Sequence, residues 1–320
     1  MKESRREFIL KSMMTSAGIS LLSSLETQAE RTPAERPGRK TINVFSKNFH
    51  WLDYKGMADA VAELGFDGID LTVRPEGHVL PERVADDLPK AVEAIKKAGL
   101  QVHMIVTAIT NPDDKFTEPI LKAASSQGIG YYRMGWMNYD EKKSISDNLD
   151  HFKTQMTKLT ALNRKYKIRG EYQNHSGLSF GSPLWDLWMS IKDLDAEWIG
   201  SQFDIMHAQV EGGNTWQLGL KLLKSYIKTI DIKNFIWSKT SEGWKPQVVP
   251  IGEGMVDYKK YLSLLKEYEL DGPFSMHFEY PLGGIENGAK QITVPKEEIM
   301  KAMKHDLVLF KGMLSEAGII

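Results

Sequence analysis

From Thr41 to the C-terminus, short apolar runs alternate with longer stretches in which apolar residues recur every three or four positions. The runs predict strands at Ile42–Ser46, within GFDGIDLTV (65–73), and at Gln101–Ala108, Tyr131–Trp136, Arg169–Gly177, Ile199–Ile205, Thr229–Phe235 and Phe274–Tyr280. The stretches between them predict helices over Tyr54–Leu64, a long one ending at Lys97–Gly99, then 118–126, 145–166, 184–194, 215–227, 258–268 and 296–313. Gly99 stands where a helix C-terminal glycine belongs. An excursion, WSKTSEGWKPQVVPIGEGM (237–255), interrupts the last-but-one unit. Eight strands each followed by a helix is the count of an α/β closed (β/α)8 TIM barrel, and no G-x-G-x-x-G follows the first strand as a dinucleotide fold requires. The expected organisation is one barrel domain over 41–320.

Barrel strands are buried on both faces and should be apolar throughout. The departures cluster at the strands' C-terminal ends, where such barrels place their active sites. Arg74 ends the second strand, with His78 beyond; Arg133 and Trp136 end the fourth. Glu171, Gln173 and His175 alternate onto one face of the fifth, the richest single segment (RGEYQNHSG). Asp204 and His207 follow on the sixth, Asp231 and Lys233 on the seventh, and His277 and Glu279 on the eighth. Gln173, Asp204, Asp231 and Glu279 come from four successive strands, so their oxygens can converge on one cation. An oxygen-rich set favours Mn, Mg or Co, and an added imidazole shifts the preference toward Zn. The competing reading is a ring of hydrogen-bonded polar side chains around water.

Composition narrows these options. The chain has 320 residues, 42% hydrophobic and 26% charged, with a net charge of -1, which argues against a basic nucleic-acid face. Cysteine is absent, which excludes thiolate chemistry and cysteine-ligated zinc. Residues 1–29 read as an export signal: SRREFILK (4–11) resembles the twin-arginine pattern, and the weakly apolar 13–25 is too short and polar to span a bilayer. The Pro- and charge-rich 30–40 reads as a linker. The expected location is the periplasm, or otherwise the cytoplasm, with no stable membrane span.

The fifth-strand QNH (173–175), FDIMH (203–207), DIKN (231–234), IGEGMVDY (251–258) and HFEY (277–280) resemble the xylose-isomerase-like barrel superfamily of sugar isomerases, 3-epimerases, inosose dehydratases and apurinic-site endonucleases. The resemblance covers nearly everything from Thr41 onward. It implies a divalent-metal enzyme acting on a sugar or keto-sugar through an enediolate, as an isomerase, epimerase, dehydratase or lyase. Its metal ligands would be Gln173, Asp204, Asp231 and Glu279. Glu279, His175 or His207 would transfer protons, Lys233 or Arg74 would stabilise developing negative charge, and Arg74, His78, Arg133, Trp136 and His277 would contact the sugar. Two residues depart from the family pattern: Gln173 stands where an acidic ligand is usual, and Asp231 where a histidine is usual. Glutamine cannot act as a base, which weighs against two-carboxylate epimerisation. Glu171, about 7 Å deeper on the strand by the rise per residue, is a candidate to take over that role. The alternative is a non-catalytic or metal-free sugar-binding barrel. Homo-oligomerisation is left open.

Overall fold

The computed structural model describes residues 40–320. The export-type segment and nearly all of the linker lie outside the described residues. Eight parallel strands close a barrel in the order β1 (Ile42–Phe45), β10 (Phe274–Met276), β7 (Ile227–Ile232), β6 (Ile199–Asp204), β5 (Arg169–Gln173), β4 (Tyr131–Arg133), β3 (Gln101–Val106) and β2 (Gly68–Thr72). Helices α1 (Tyr54–Leu64), α2 (Val84–Lys97), α3 (Thr117–Ser126), α4 (Ile145–Tyr166) and α5 (Trp185–Ile191) fall between the first six strands. Next come α6 (Ile205–Gly212) and α7 (Trp216–Leu223) after β6, then α8 (Tyr258–Glu267), and α9 (Lys296–Glu316) closes the chain. Among the described residues no helix is long and apolar enough to cross a membrane.

Local chemistry sets the helix boundaries. Asp53 and Ser144 cap α1 and α4 by accepting from the backbone N–H groups of Gly56 and Asp147. α1 stops at Gly65 and α2 is followed by Gly99, both in the left-handed region. Strands four and eight are shorter than their apolar runs suggest, because the chain leaves the sheet to build the rim. The excursion after β7 is a hairpin: β8 (Asn234–Thr240) pairs antiparallel with β9 (Gly243–Val249). Asn234 ties its base. Its Nδ2 donates to Ile251 O (2.7 Å), and its Oδ1 accepts from Phe235 N (2.9 Å) and Val256 N (3.0 Å). Gly254 is required there, since a Cβ would lie 2.1 Å from Asn234 Oδ1. The G-E-G turn is therefore a mechanical partner of the DIKN segment.

Strand alternation divides the barrel into two environments. Outward residues such as Val44, Ile69, Leu71, Tyr132, Tyr172, Phe203, Ile230 and Met276 join one apolar core with the helices. The inward register is polar, carrying Asn43, Asp70, Glu171, Gln202, Thr229 and Ser275, each fully buried. Most barrels fill this space with branched aliphatic residues. Glu171 is the lowest carboxylate on β5, opposite Gly200 in register, where a Cβ would meet Tyr226 O at 2.1 Å. Burial pushes its carboxyl up to about 8, against the opposing pull of Lys228 and Arg169.

A pH dependence follows. A carboxyl raised from 4.5 to about 8 keeps, in the folded chain, a proton that the unfolded chain has released. Its contribution is fully present below pH 4.5 and is lost as pH rises toward 8. Glu171→Gln keeps the shape and removes the titration. Thermal melts at pH 5 and pH 8.5 should show the wild type losing stability relative to this variant at the higher pH; equal losses would contradict the assignment.

Candidate active site

The end of β6 sets the first pair of residues. Asp204 ends the strand and also caps α6, its side chain accepting from His207 N. The D-x-x-H spacing is thus one helical turn, which leaves His207 Nε2 3.7 Å from Asp204 Oδ2. Register aligns Asp204 with Asp231 on β7 and Asp231 with Ser275 on β10. Lys233 follows Asp231 on the same inward face. Its carbonyl accepts from the Tyr258 hydroxyl (2.7 Å), so the IGEGMVDY segment fixes the backbone from which Lys233 projects.

The Lys233 ammonium, 2% exposed, is the centre of this constellation. It lies 2.8 Å from Asp204 Oδ2 and 3.1 Å from Glu279 Oε2, and it donates to His207 Nε2 at 3.0 Å. The His207 proton is therefore on Nδ1, which donates to Ser176 Oγ at 2.8 Å. Glu279 Oε1 accepts from Lys47 Nζ (2.5 Å). Gln173 presents its amide nitrogen to two carboxylates, Asp204 Oδ2 (3.0 Å) and Asp231 Oδ2 (2.5 Å), while its Oε1 accepts from Arg133 Nη1 (2.7 Å). Asp231 Oδ1 takes Gln202 Nε2 (2.5 Å) and lies 3.3 Å from His277 Nε2. His277 stacks on Phe45 with ring centroids 4.4 Å apart.

Burial and charge oppose each other throughout this cluster. Burial alone would lower Lys233, but Asp204, Glu279 and Asp231 outweigh it and hold the amine above its ordinary range. Burial would raise Asp204 and Glu279, yet Lys233 leads the opposing charges that keep both below the usual carboxylate range, Lys47 adding to its pull on Glu279. His207 is lowered well below 6.5 by burial and by Lys233, and His175 is lowered for the same two reasons. Both imidazoles are neutral at pH 7. At the rim, His175 packs on His207 (3.9 Å between centroids) and on Trp136 (4.7 Å), which is 40% exposed. Its Nδ1 donates to Ser176 O (2.9 Å), which leaves Nε2 as an acceptor.

The arrangement tests the expected divalent ion. Asp204, Asp231, Glu279 and Gln173 do converge, but their donor atoms already serve cations and N–H groups of the chain itself. Gln173 turns its donor nitrogen, not its oxygen, toward the carboxylates. Lys233 fills the point that Asp204 and Glu279 share. These four residues do not fit an ion facing a sugar. Among the described residues, one group has ligand spacing: Asp70, Asp231 and His277, each offering one atom, all within 4.8 Å of one another. Asp70 and Asp231 are fully buried and His277 is 5% exposed, so an ion there would be sealed below the rim. Asp70 also donates nothing to the rim network; it accepts from Ser275 Oγ (2.8 Å).

Most of the expected residues come together, and two, Glu171 and His78, lie apart from the cluster. Glu171 lies too deep in the barrel to inherit the catalytic role, enclosed near Gly200 and Lys228. His175 is beyond the end of β5, so it shares a site but not a strand face with Gln173. His78 is tied beneath the first loop, Nε2 to Phe49 O (3.2 Å) and Nδ1 near Ser46 Oγ (3.3 Å), away from the cluster. Arg74 stands over Phe45. Lys47, Gln202, Asp70 and Ser176 were missed. Asp70, a lone charge within GIDLT, and Lys47, in the first strand's following loop, were visible signals; the loop's other polar residues concealed Lys47.

Comparison with known proteins supports the architecture. The chain resembles a D-tagatose 3-epimerase-like protein (17% identity, TM-score 0.64, covering 87% of this chain and 98% of that one). It also resembles a 3-keto-D-glucoside 4-epimerase of E. coli (14%, TM-score 0.61, 86% and 100%). A third likeness is to a xylose isomerase-like barrel protein of Mycobacterium smegmatis in complex with magnesium (16%, TM-score 0.58, 83% and 97%). An uncharacterized protein of Methanocaldococcus jannaschii is 27% identical over 174 residues, 54% of this chain and 53% of that protein. The chain thus spans about half the length of that relative. A family model, the xylose isomerase-like TIM barrel, matches residues 58–303, and the chain belongs to that family.

Proposed function

We propose that this barrel is a sugar isomerase or epimerase-like enzyme that moves a proton beside the carbonyl of an open-chain sugar through an enediolate. The observation that carries the reading is His175: a neutral rim imidazole whose Nδ1–H is fixed by Ser176 O, which leaves Nε2 unprotonated and able to accept a proton. It sits beside a 40% exposed Trp136 able to stack on a sugar face. Family membership and solved neighbours described as epimerases support the substrate class.

In this reading His175 Nε2 removes the proton from the carbon next to the carbonyl. The C–H pair becomes the new C=C bond and the carbonyl pair moves onto oxygen. Lys47 is placed to meet that oxygen, since one of its protons goes to Glu279 and the other two make no hydrogen bond among the described residues. Burial lowers its pKa, which eases proton donation to the enediolate oxygen. Arg74, over the Phe45 ring and drawn by the charges of Asp70 and Glu279, adds a second cation. The neighbouring hydroxyl then gives its proton back to the neutral Lys47 amine as its oxygen becomes the new carbonyl, and the proton on His175 adds to the carbon that bore the first carbonyl, completing a 1,2-shift on one face. Gln173 cannot supply the second base that inversion through opposite faces needs, so aldose–ketose isomerisation is favoured over epimerisation. A second reading places a divalent ion at Asp70, Asp231 and His277, with support from their spacing. Residues 4–11 support a further proposal, twin-arginine export as a folded protein, tested by sequencing the mature N-terminus in the native host.

NMR of an aldose and ketose panel in D2O tests the chemistry. Deuterium should enter at the carbon next to the carbonyl, and an absence of exchange with every sugar would point instead to a binding protein. His175→Ala should lower exchange about 10²–10⁴-fold with little change in KM. The base works when neutral and its pKa is lowered, so activity should be flat through pH 6.5 and fall only at lower pH. A midpoint at or above 6.5 would exclude His175 as that base.

A further inference from the structure

We propose that the Lys233 ammonium is the resident cation of this barrel and organises its carboxylates without a divalent ion. Four observations converge on it. An ammonium has three donors, and Lys233 meets three acceptors, Asp204 Oδ2, Glu279 Oε2 and His207 Nε2, at 2.8, 3.1 and 3.0 Å. These are ordinary hydrogen-bond lengths, so all three donors of the ammonium are engaged. Gln173 then acts as a hydrogen-bond bridge. An acidic residue in its place would face Asp204 and Asp231 as a third negative charge, whereas the amide donates to both.

Charge leads to the same conclusion. Asp204, Asp231, Glu279 and the neighbouring Asp70 are four carboxylates, and Lys233, Lys47, Arg133 and Arg74 are four cations that bind them directly, through Gln173 or by charge alone. The cluster is neutral with protein groups alone, so a divalent ion would add uncompensated charge to a buried space. Finally, Lys233 is poorly placed to move aside. Its own carbonyl is held by Tyr258, and the next residue, Asn234, is clamped to the Gly254 turn.

The inference rests on the isomerase reading only for what the cation serves, so its test reads ion binding directly. The full chain is dialysed against MnCl2, CoCl2, MgCl2 and ZnCl2 in turn, then analysed for bound metal and melted with and without each salt. The expected result is trace metal only, a Tm shift below about 1 °C, and any sugar exchange unaffected by EDTA. Lys233→Met opens the shared point between Asp204, Glu279 and His207. It should gain stoichiometric ion binding and a Tm that rises by several degrees with the ion. Stoichiometric ion in the wild type overturns the proposal, whether Asp204→Asn loses it (an ion among the rim carboxylates) or keeps it (an ion at Asp70, Asp231 and His277), and this holds even if Lys233→Met fails to fold. Metal-free protein without exchange on any sugar sinks the isomerase reading and leaves this inference standing. Metal-bound protein with exchange does the reverse.

Discussion

The site depends on one buried ammonium. Removing Lys233 would leave Asp204, fully buried, facing Glu279 and the Asp231 pair without its nearest counter-charge. A buried carboxylate without a partner costs several kcal/mol, more than any single surface ion pair in the molecule supplies. The same contact fixes the tautomer of His207, and through Ser176 it orders the loop that carries His175. A chain of donors therefore runs from β7 to the rim, and the rim imidazole of His175 is positioned through residues between it and Lys233.

That lysine is held from behind by structure outside the barrel. The β8–β9 hairpin and the G-E-G turn are joined at Asn234, whose side chain occupies the space a Cβ on Gly254 would need. Tyr258, at the start of α8, reaches back to the Lys233 carbonyl. An excursion that reads as an insertion in a loop is thus part of the mount for the site. The polar lumen beneath has a related origin: the buried carboxylates need donors, and Gln202 supplies one to Asp231 and Ser275 one to Asp70 in place of apolar packing.

Much of this was legible in order along the chain. Alternation of apolar runs with helical periodicity determined eight βα units, because a strand buried on both faces and a helix buried on one leave different imprints. Polar residues at strand ends located the site, since such residues are poor core material unless something satisfies them. Gly99 marked a helix end through its need for the left-handed region. The D-x-x-H spacing already placed Asp204 and His207 within reach of one another.

Partnership was not legible. The sequence placed Gln173, Asp204, Asp231 and Glu279 at one level of the barrel, and chemistry alone made a metal the natural occupant. Only the tertiary structure showed that Lys233, just past the end of β7, and Lys47, in the loop after β1, bring the cations themselves to Glu279. It also sent Glu171 to the barrel floor and His78 beneath the first loop, though both carry side chains suited to catalysis. Strand periodicity fixes which face a residue takes, but depth and the identity of its neighbour depend on how eight separate strands align. That alignment is a long-range property, set by register and loop packing between residues far apart in the chain.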